Sequence, residues 1–153
     1  MAAKKKPADA IALLKQDHEK VRGLLGQLEN ATGARRSKLL AQVEQELKIH
    51  TTIEEEIFYP AYRDAARKKE DKKLYFEAVE EHHVVDLVMP EVSEGATPEE
   101  LKAKAKVLKD LVEHHADEEE KQMFPRAKKA LERDELRELG ERMETRKKEL
   151  GAR

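Results

Sequence analysis

The sequence contains no cysteine and no tryptophan, and aromatic residues make up only 4% of its 153 residues. The lack of cysteine excludes disulfide bonds, thiolate metal ligands and thiol catalysis. No apolar run approaches the roughly 20 residues that a transmembrane helix requires, and no signal-peptide core follows the first lysines. The formal net charge of −2 gives no strong indication of a nucleic-acid or membrane partner. We therefore expect a cytoplasmic protein that binds neither nucleic acid nor membrane.

Charged residues, in contrast, make up 42% of the chain, and a composition rich in Leu, Ala, Glu, Lys and Arg favours long amphipathic helices. Apolar residues at 3–4 spacing predict helices over about residues 9–30, 34–67, 71–90 and 97–125. Short polar turns separate them, which is typical of antiparallel neighbours. The sequence therefore predicts an all-α fold, an up-down-up-down four-helix bundle.

The chain divides into three parts on this interpretation. Residues 1–8 form a basic, flexible N-terminal tail, residues 9–130 form the four-helix bundle, and residues 131–153 form a C-terminal helical tail. The short C-terminal helix is indicated by an apolar stripe at Leu136, Leu139, Met143 and Leu150.

Ionisable residues occupy positions of these helices where a packed bundle would have leucine. His18 lies on the apolar seam of the first helix, and His50 and Glu54 lie on that of the second. Burying such side chains without partners would cost roughly 2–7 kcal/mol each. We therefore expect a functional reason for their presence in the core.

The sequence also repeats itself around these residues. The stretch HTTIEEEIFYP, which begins at His50, shares its spacing of histidine, paired glutamates and proline with HADEEEKQMFP, which begins at His115. His18 lies 32 residues before His50, and His82 lies 33 residues before His115. The repeat therefore predicts two helical hairpins, related by a pseudo-two-fold axis, that each contribute half of one site.

The spacing of these residues suits metal coordination. A histidine and a glutamate four residues apart lie on one face of a helix, one turn apart. With one histidine from each of the other two helices, the candidate ligands are His18, His50, Glu54, His82, His115 and Glu119. Six ligands are too many for one tetrahedral zinc ion, whereas carboxylates can bridge two ions and imidazole suits iron. The spacing therefore predicts a dinuclear site, for which we favour iron.

Neighbouring residues offer alternatives in the second hairpin. His83 could replace His82 as the ligand, although the repeat favours His82. The pair His114 and Glu118 could likewise replace the pair one residue later, although the spacing to the following proline favours the later pair.

Glu55, Glu56 and Glu120 are most simply interpreted as a solvated face.

The ordered set resembles the hemerythrin-like family, whose cation-binding domain is named for its pattern of histidine, histidine and glutamate. The resemblance covers about residues 9–130. It rests on matches in four helices: Asp17 and His18; His50, Glu54, Glu55 and Pro60; His82; and His115, Glu119 and Pro125. It implies a helical bundle around a non-haem di-iron centre whose two iron ions are bridged by carboxylates and an oxo group.

The chain also departs from the family. Oxygen-carrying hemerythrins have a second histidine four residues after the histidine of the third helix, where this chain has Asp86. The resemblance therefore makes Asp86 a seventh candidate ligand, although an aspartate there can instead orient an imidazole that binds the metal. Oxygen carriers also have an aspartate five residues after the histidine of the fourth helix, where this chain has Glu119 four residues after it. Fewer imidazoles favour the ferric state, so redox chemistry or sensing is as well supported as oxygen transport. A ferritin-like bundle would require Glu-x-x-His on two helices, and only Glu80 with His83 fits.

Two classes of function follow. The first is a protein, monomeric or weakly homo-oligomeric, that binds or senses oxygen, peroxide or nitric oxide in a response to stress or iron. The second is an enzyme with catalase-like or oxidase activity at the same site, and simple iron storage is a further alternative. Without its ions we expect the protein to be less stable, most of all in acid, where the histidines become charged and repel one another.

Overall fold

The computed structural model describes residues 8–152, and within that range the chain is helical, with no β-strand. The α-helices are α1 (Ala10–Asn30), α2 (Gly33–Ile53), α3 (Tyr59–Ala65), α4 (Lys69–Val88), α5 (Pro98–Glu118), α6 (Phe124–Ala130) and α7 (Arg133–Glu149), and a 3₁₀ segment (Met89–Ser93) follows α4. The expected basic tail, residues 1–8, falls almost wholly outside the described residues. None of the described helices combines the length and apolarity that crossing a membrane would require.

Two π-helical segments join α-helices end to end. The first π segment (Glu54–Phe58) connects α2 to α3, and the second (Glu119–Met123) connects α5 to α6, with right-handed helical angles at the junctions. The chain thus forms four long helices, namely α1, α2 with α3, α4, and α5 with α6, followed by α7. This order confirms the predicted four-helix bundle with a short C-terminal helix.

The starts of α1 and α5 follow from their local sequence. The side chain of Asp9 accepts a 2.8 Å hydrogen bond from the backbone N–H of Ala12, and Thr97 Oγ1 accepts one of 3.2 Å from Glu100. Such caps satisfy donors that a first helical turn leaves free and contribute roughly 0.5–2 kcal/mol each. They therefore help to fix where both helices begin.

A proline accounts for each π segment. Pro60 and Pro125 have no backbone N–H, and their rings would clash with the carbonyl four residues earlier in a regular helix. The N–H of Tyr59, just before the first proline, donates to the Glu54 carbonyl five residues back, and the second segment repeats this bond. The helices therefore continue past both prolines. Glu54 and Glu119 each lie at the start of a π segment, where the helical turn is wider than in an α-helix.

The hydrophobic core consists of two clusters with a polar layer between them. One cluster contains Leu14 and Phe58 and extends to α3, α6 and α7, and the other contains Val21 and Leu108. On α1, His18 lies between Leu14 and Val21, so the polar layer crosses the bundle at the level of the histidines.

α7 belongs to the core rather than to the surface. Its residues Leu139 and Met143 pack in the same cluster as Leu14. Gly140 allows α7 to approach the start of α1 so closely that an added Cβ would lie 2.8 Å from the carbonyl carbon of Asp9. The C-terminal helix therefore packs along the side of α1 and α2.

Candidate metal centre

Six of the seven candidate ligands lie together in the polar layer. α1 and α4 supply one histidine each, while α2 and α5, with their π segments, supply a histidine and a glutamate each. They are His18, His50, Glu54, His82, His115 and Glu119, each 7% exposed or less. The helical periodicity of the apolar seams turns all six inward.

The six residues form two overlapping groups. Ligand atoms of the first group, His18, His50, Glu54 and Glu119, lie within 4.8 Å of one another, and so do those of the second group, Glu54, His82 and His115. Glu54 belongs to both. A carboxylate shared in this way has the position that a bridge between two ions requires.

Each glutamate reaches histidines on two helices. Glu54 Oε1 lies 2.9 Å from Nε2 of His50 on its own helix and 3.3 Å from Nε2 of His82 on α4. Glu119 Oε1 lies 2.9 Å from the histidine on its own helix and 3.4 Å from Nε2 of His18 on α1. The two hairpins thus make equivalent contacts, as the sequence repeat predicts.

Several atoms of this layer lie close to one another but make no hydrogen bond of acceptable geometry among the described residues. They are Nδ1 and Nε2 of His18, Nε2 of His50, both carboxylate oxygens of Glu54, and Oε1 of Glu119. Buried polar atoms are otherwise nearly always paired, because an unpaired one costs roughly 1–3 kcal/mol. Imidazole nitrogens and carboxylate oxygens that converge without partners fit the ligand preferences of a metal cation.

A carboxylate lies beside the outward-facing Nδ1 of each histidine. The pairs are Asp17 with His50 at 2.9 Å, Glu81 with His115 at 3.0 Å, Glu55 with His82 at 3.1 Å and Glu120 with His18 at 3.8 Å. The first three distances are within hydrogen-bonding range. Such carboxylates orient the ring, fix its tautomer and leave Nε2 free to bind a metal.

These outer carboxylates follow the two-fold pattern of the repeat. Asp17 and Glu81 support the second histidine of their own hairpins, while Glu55 and Glu120 face the single histidine of the other hairpin. The prediction that Glu55 and Glu120 belong to a solvated face missed this contact. The doubled glutamate in both repeats is the signal that could have identified them.

Tyr59 adds a polar group to the second group of ligands. Its buried hydroxyl lies 3.1 Å from Nε2 of His82 and donates a 3.1 Å hydrogen bond to Oε2 of Glu119. The ring also stacks on His82, with the centroids 5.3 Å apart. Sequence reasoning did not identify Tyr59 as part of the site, because its spacing says nothing about where the hydroxyl points.

Paired charges shift the pKa values of the metal-free layer. Burial lowers the pKa of His50, but the Glu54 carboxylate and the hydrogen bond to Asp17 outweigh burial and raise it to about 10. Burial also opposes the shift at His115, whose pKa is nevertheless raised well above its usual value, chiefly by Glu119. Burial raises the pKa of Glu54, and the charge of His50 more than reverses this effect and holds it well below its usual value. The metal-free layer therefore holds protons that a bound cation would displace.

The structure distinguishes the candidate histidines of the second hairpin from their neighbours. His82 is 1% exposed, whereas His83 lies on the exposed side of α4. His115 is 7% exposed, whereas the side chain of His114 is 67% exposed. The buried residues are those that the repeat and the proline spacing favour.

Asp86 is the candidate ligand that the structure does not bring to the layer. It is exposed and belongs to neither group. The buried seam of α4 continues from His82 to Val85 and Met89, so Asp86 lies beside this seam and faces solvent. The structure therefore does not support Asp86 as a ligand, and we leave it out of the proposed set.

A small cavity borders the layer. Its volume is about 20 Å³, slightly more than one water molecule requires. It is lined by the four buried histidines and by mostly apolar side chains that include Val21, Leu47, Val85 and Val112. The space beside the imidazoles therefore suits a molecule with very few non-hydrogen atoms.

Comparisons with known proteins match the same region of the chain. The family described as Hemerythrin HHE cation binding domain matches residues 9–127. The crystal structure of a Hemerythrin HHE cation binding domain-containing protein from Mycobacterium kansasii superposes with a TM-score of 0.81 at 30% sequence identity, covering 94% of this chain and 87% of that one.

A protein named DNA nickase from Nostoc sp. (strain PCC 7120) is 26% identical over 113 residues, which is 73% of this chain. The chain spans only 31% of the length of that relative, so its name describes a larger protein. The family match over residues 9–127 confirms the resemblance noted in the sequence: this chain belongs to the hemerythrin HHE cation-binding domain family.

Proposed function

We propose that this protein is a non-haem di-iron protein whose centre reacts with or senses a small molecule, namely oxygen, peroxide or nitric oxide. The observation that carries the proposal is the pair of buried ligand groups that share Glu54. Each group contains two imidazoles, so each can hold one ion while the glutamates serve both. A role in stress or iron response, and action in the cytoplasm as a monomer or weak homo-oligomer, stay predictions from the sequence.

The charge of the site favours bound cations. Two carboxylates face the centre and four stand behind the histidines. Two fixed cations contact these six groups, Lys147 at Asp17 and Arg22 at Glu120. The net charge around the buried imidazoles is therefore negative, and cations bound between the buried carboxylates would offset it.

The ligand types favour iron. Zinc prefers four ligands in a tetrahedron, and magnesium prefers oxygen ligands and water. Four imidazoles and two carboxylates, in a chain without cysteine, suit two ions of higher coordination number such as iron. When bound, iron would supply electrons to a small oxidant.

The side chains around the site limit what can reach it. Val21, Leu47, Val85 and Val112 leave a cavity of about 20 Å³ beside the imidazoles, which has too little volume for a larger substrate. Asp17 holds the His50 ring through a 2.9 Å contact to Nδ1, so the inward nitrogen keeps its direction. The size of the cavity favours a reaction with a small molecule over one with an organic substrate.

A second candidate is an enzyme that breaks down peroxide or uses oxygen as an oxidant. Tyr59 favours it, because its hydroxyl is a buried proton donor in contact with Glu119 Oε2. Burial and the neighbouring carboxylates, Glu119 first among them, raise the pKa of Tyr59 well above its usual value, so the hydroxyl stays neutral and can donate a hydrogen bond in the metal-free protein. A positioned donor of this kind assists the cleavage of an O–O bond.

The proposal is tested by metal analysis and spectroscopy. Protein produced with iron should contain two irons per chain. After reduction, mixing with oxygen, hydrogen peroxide or nitric oxide should produce new absorption in the near-ultraviolet or visible range. Continued release of oxygen from added peroxide would favour the enzyme over the sensor.

Two variants sharpen this experiment. Glu54→Gln removes the carboxylate shared by both groups and should abolish iron binding and the spectral change, whereas His83→Ala alters an exposed histidine and should preserve both. A single zinc ion per chain, or two irons with no spectral response to any of the three molecules, would contradict the proposal.

A further inference from the structure

Asp17 and Glu81 occupy equivalent positions in the two hairpins but differ in what their outer oxygens contact. The inner oxygen of each lies beside Nδ1 of a buried histidine, at 2.9 Å and 3.0 Å respectively. The outer oxygen of Asp17 contacts the ammonium group of Lys147 from α7. The outer oxygen of Glu81 lies instead 3.1 Å from Nε2 of His114.

A second carboxylate joins this contact. Glu118, one turn after His114 on α5, places Oε2 3.5 Å from the same Nε2. One ligand atom each from Glu81, His114 and Glu118 lies within 4.8 Å of the others. The side chains of the three residues are 23%, 67% and 24% exposed, respectively, so the cluster opens to solvent.

The equivalent positions of the first hairpin carry apolar residues. In the repeat, Ile49 is equivalent to His114 and Ile53 is equivalent to Glu118. Both isoleucines are buried. Packing explains them, because α7 contacts α1 and α2 on that side. Packing does not explain an exposed imidazole that faces two carboxylates on the other side.

We propose that Glu81, His114 and Glu118 form a third, exchangeable divalent-cation site on the surface. The cation at this site contacts the outer oxygen of Glu81, as the ammonium group of Lys147 contacts the outer oxygen of Asp17. One imidazole and two carboxylates are ligands for Zn²⁺, Mn²⁺ and Fe²⁺. Three protein ligands leave further coordination positions to water, and the exposure of the His114 side chain gives cations direct access from solvent.

Glu81 connects this surface site to the buried layer. One of its oxygens faces the surface cation, and the other faces Nδ1 of His115 at 3.0 Å. A cation at the surface therefore holds the Glu81 carboxylate, and with it the orientation of His115, in place. Occupancy of the surface site and metal binding by the second group are thereby coupled through one side chain.

The test is a titration of the iron-loaded protein with Zn²⁺ by calorimetry, with the iron absorption recorded on the same sample. We expect one Zn²⁺ per chain to bind with no loss of iron. His114→Ala and Glu118→Gln should each weaken this binding by roughly tenfold or more, because even groups behind metal ligands have effects of that size. His83→Ala, which removes an exposed histidine of α4 outside the cluster, should bind Zn²⁺ like the unmodified protein.

Three outcomes would overturn the proposal: no Zn²⁺ binding by the iron-loaded protein, equal binding by the unmodified protein and His114→Ala, or Zn²⁺ uptake only in exchange for iron. The iron absorption reports separately on the buried centre. Failure of the surface site is therefore distinguishable from failure of the proposed di-iron centre.

Discussion

The hydroxyl of Tyr59 lies 3.1 Å from Nε2 of His82, whereas Phe124, its equivalent in the second hairpin, stacks on His18 and offers no polar atom. The two rings pack alike, with centroid distances to their histidines of 5.3 Å and 5.9 Å. One oxygen atom thus breaks the pseudo-two-fold symmetry of the site and makes its two halves chemically different.

Tyr59→Phe should retain two irons per chain and slow the reaction of the reduced protein with hydrogen peroxide. The loss of a positioned proton donor lowers such a rate by roughly 100-fold or more, and stopped-flow absorption measures it. Phe124→Tyr in the same background is the matched control, since it places a hydroxyl at His18 and should not restore the rate. Equal rates in Tyr59→Phe and the unmodified protein would assign the hydroxyl to packing alone.

His82→Ala should lose iron from the second group, whereas His83→Ala should retain both irons. The reason is burial, because His82 is 1% exposed and contacts Glu54 at 3.3 Å, while His83 faces solvent. Asp86→His should likewise leave the iron content and the spectrum unchanged. Elemental analysis measures the iron content of the three variants. Iron loss in His83→Ala would show that His83, and not His82, is the ligand, so that the alignment of the two repeats is wrong by one residue.

Asp17→Asn should weaken iron binding by roughly 10–100-fold, because the carboxylate that orients the His50 ring is lost. Glu55→Gln should have a smaller effect, since its side chain is 48% exposed while that of Asp17 is 8% exposed. Competition with a chelator measures both affinities. Glu46→Gln, in an exposed pair with Lys20, should change nothing, and equal effects in all three variants would point to net charge as the cause.

The metal-free protein should be most stable between about pH 4.5 and 6.5. The pKa of His50 is raised from 6.5 to about 10. The contribution of His50 to the free energy of unfolding is therefore complete below pH 6.5 and is lost as the pH rises through 10. The pKa of Glu54 is lowered well below 4.5, so the contribution of Glu54 to the free energy of unfolding is present above pH 4.5 and is lost as the pH falls through its folded-state pKa.

This dependence differs from the expectation that acid destabilises the metal-free protein by charging its histidines. Carboxylates raise the pKa values of His50 and His115, so protonation of these two imidazoles in moderate acid stabilises the layer instead of disrupting it. Thermal unfolding of the metal-free protein between pH 4 and pH 9, followed by circular dichroism, shows whether stability rises or falls with pH. A melting temperature that rises steadily from pH 6 to pH 9 would contradict this stabilisation, and His50→Ala should flatten the profile.

Gly140→Ala should destabilise the protein by roughly 1–3 kcal/mol through overpacking, because the added Cβ would lie 2.8 Å from the carbonyl carbon of Asp9. Gly26→Ala is the matched control. It lies within α1 with no atom within 4 Å of the added Cβ, so it should stabilise the protein by up to about 1 kcal/mol. Denaturant unfolding measures both, and a neutral Gly140→Ala would mean that α7 can move away from α1.

The sequence alone determined which residues face the core. A helix repeats every 3.6 residues, so a histidine in register with an apolar seam, such as His18 between Leu14 and Val21, has to point inward. The duplicated spacing then identified His115 as the equivalent of His50 and Glu119 as the equivalent of Glu54 in the second hairpin. Burial of the inner ligands and the four-helix arrangement both followed from patterns within single helices.

The tertiary structure decided the contacts between helices. Glu55 lies on the solvent side of its own helix, yet it reaches the ring of His82 on α4, because the rotation and stagger of two packed helices bring these groups together. The same rotation leaves Asp86 outside the layer, although its spacing from His82 fits a ligand. Helical periodicity specifies a face but not the neighbour that the face meets.

The contact of Lys147 with Asp17 is the clearest example of an interaction that the sequence pattern does not predict. Lys147 stands 130 residues after Asp17 and contacts its carboxylate, while Glu81, the equivalent of Asp17, faces His114 instead. α7 covers one hairpin and follows no repeat, so its packing makes two halves of similar sequence differ in charge. A local pattern cannot predict such a difference, because it arises only when apolar surfaces far apart in the chain are buried against each other.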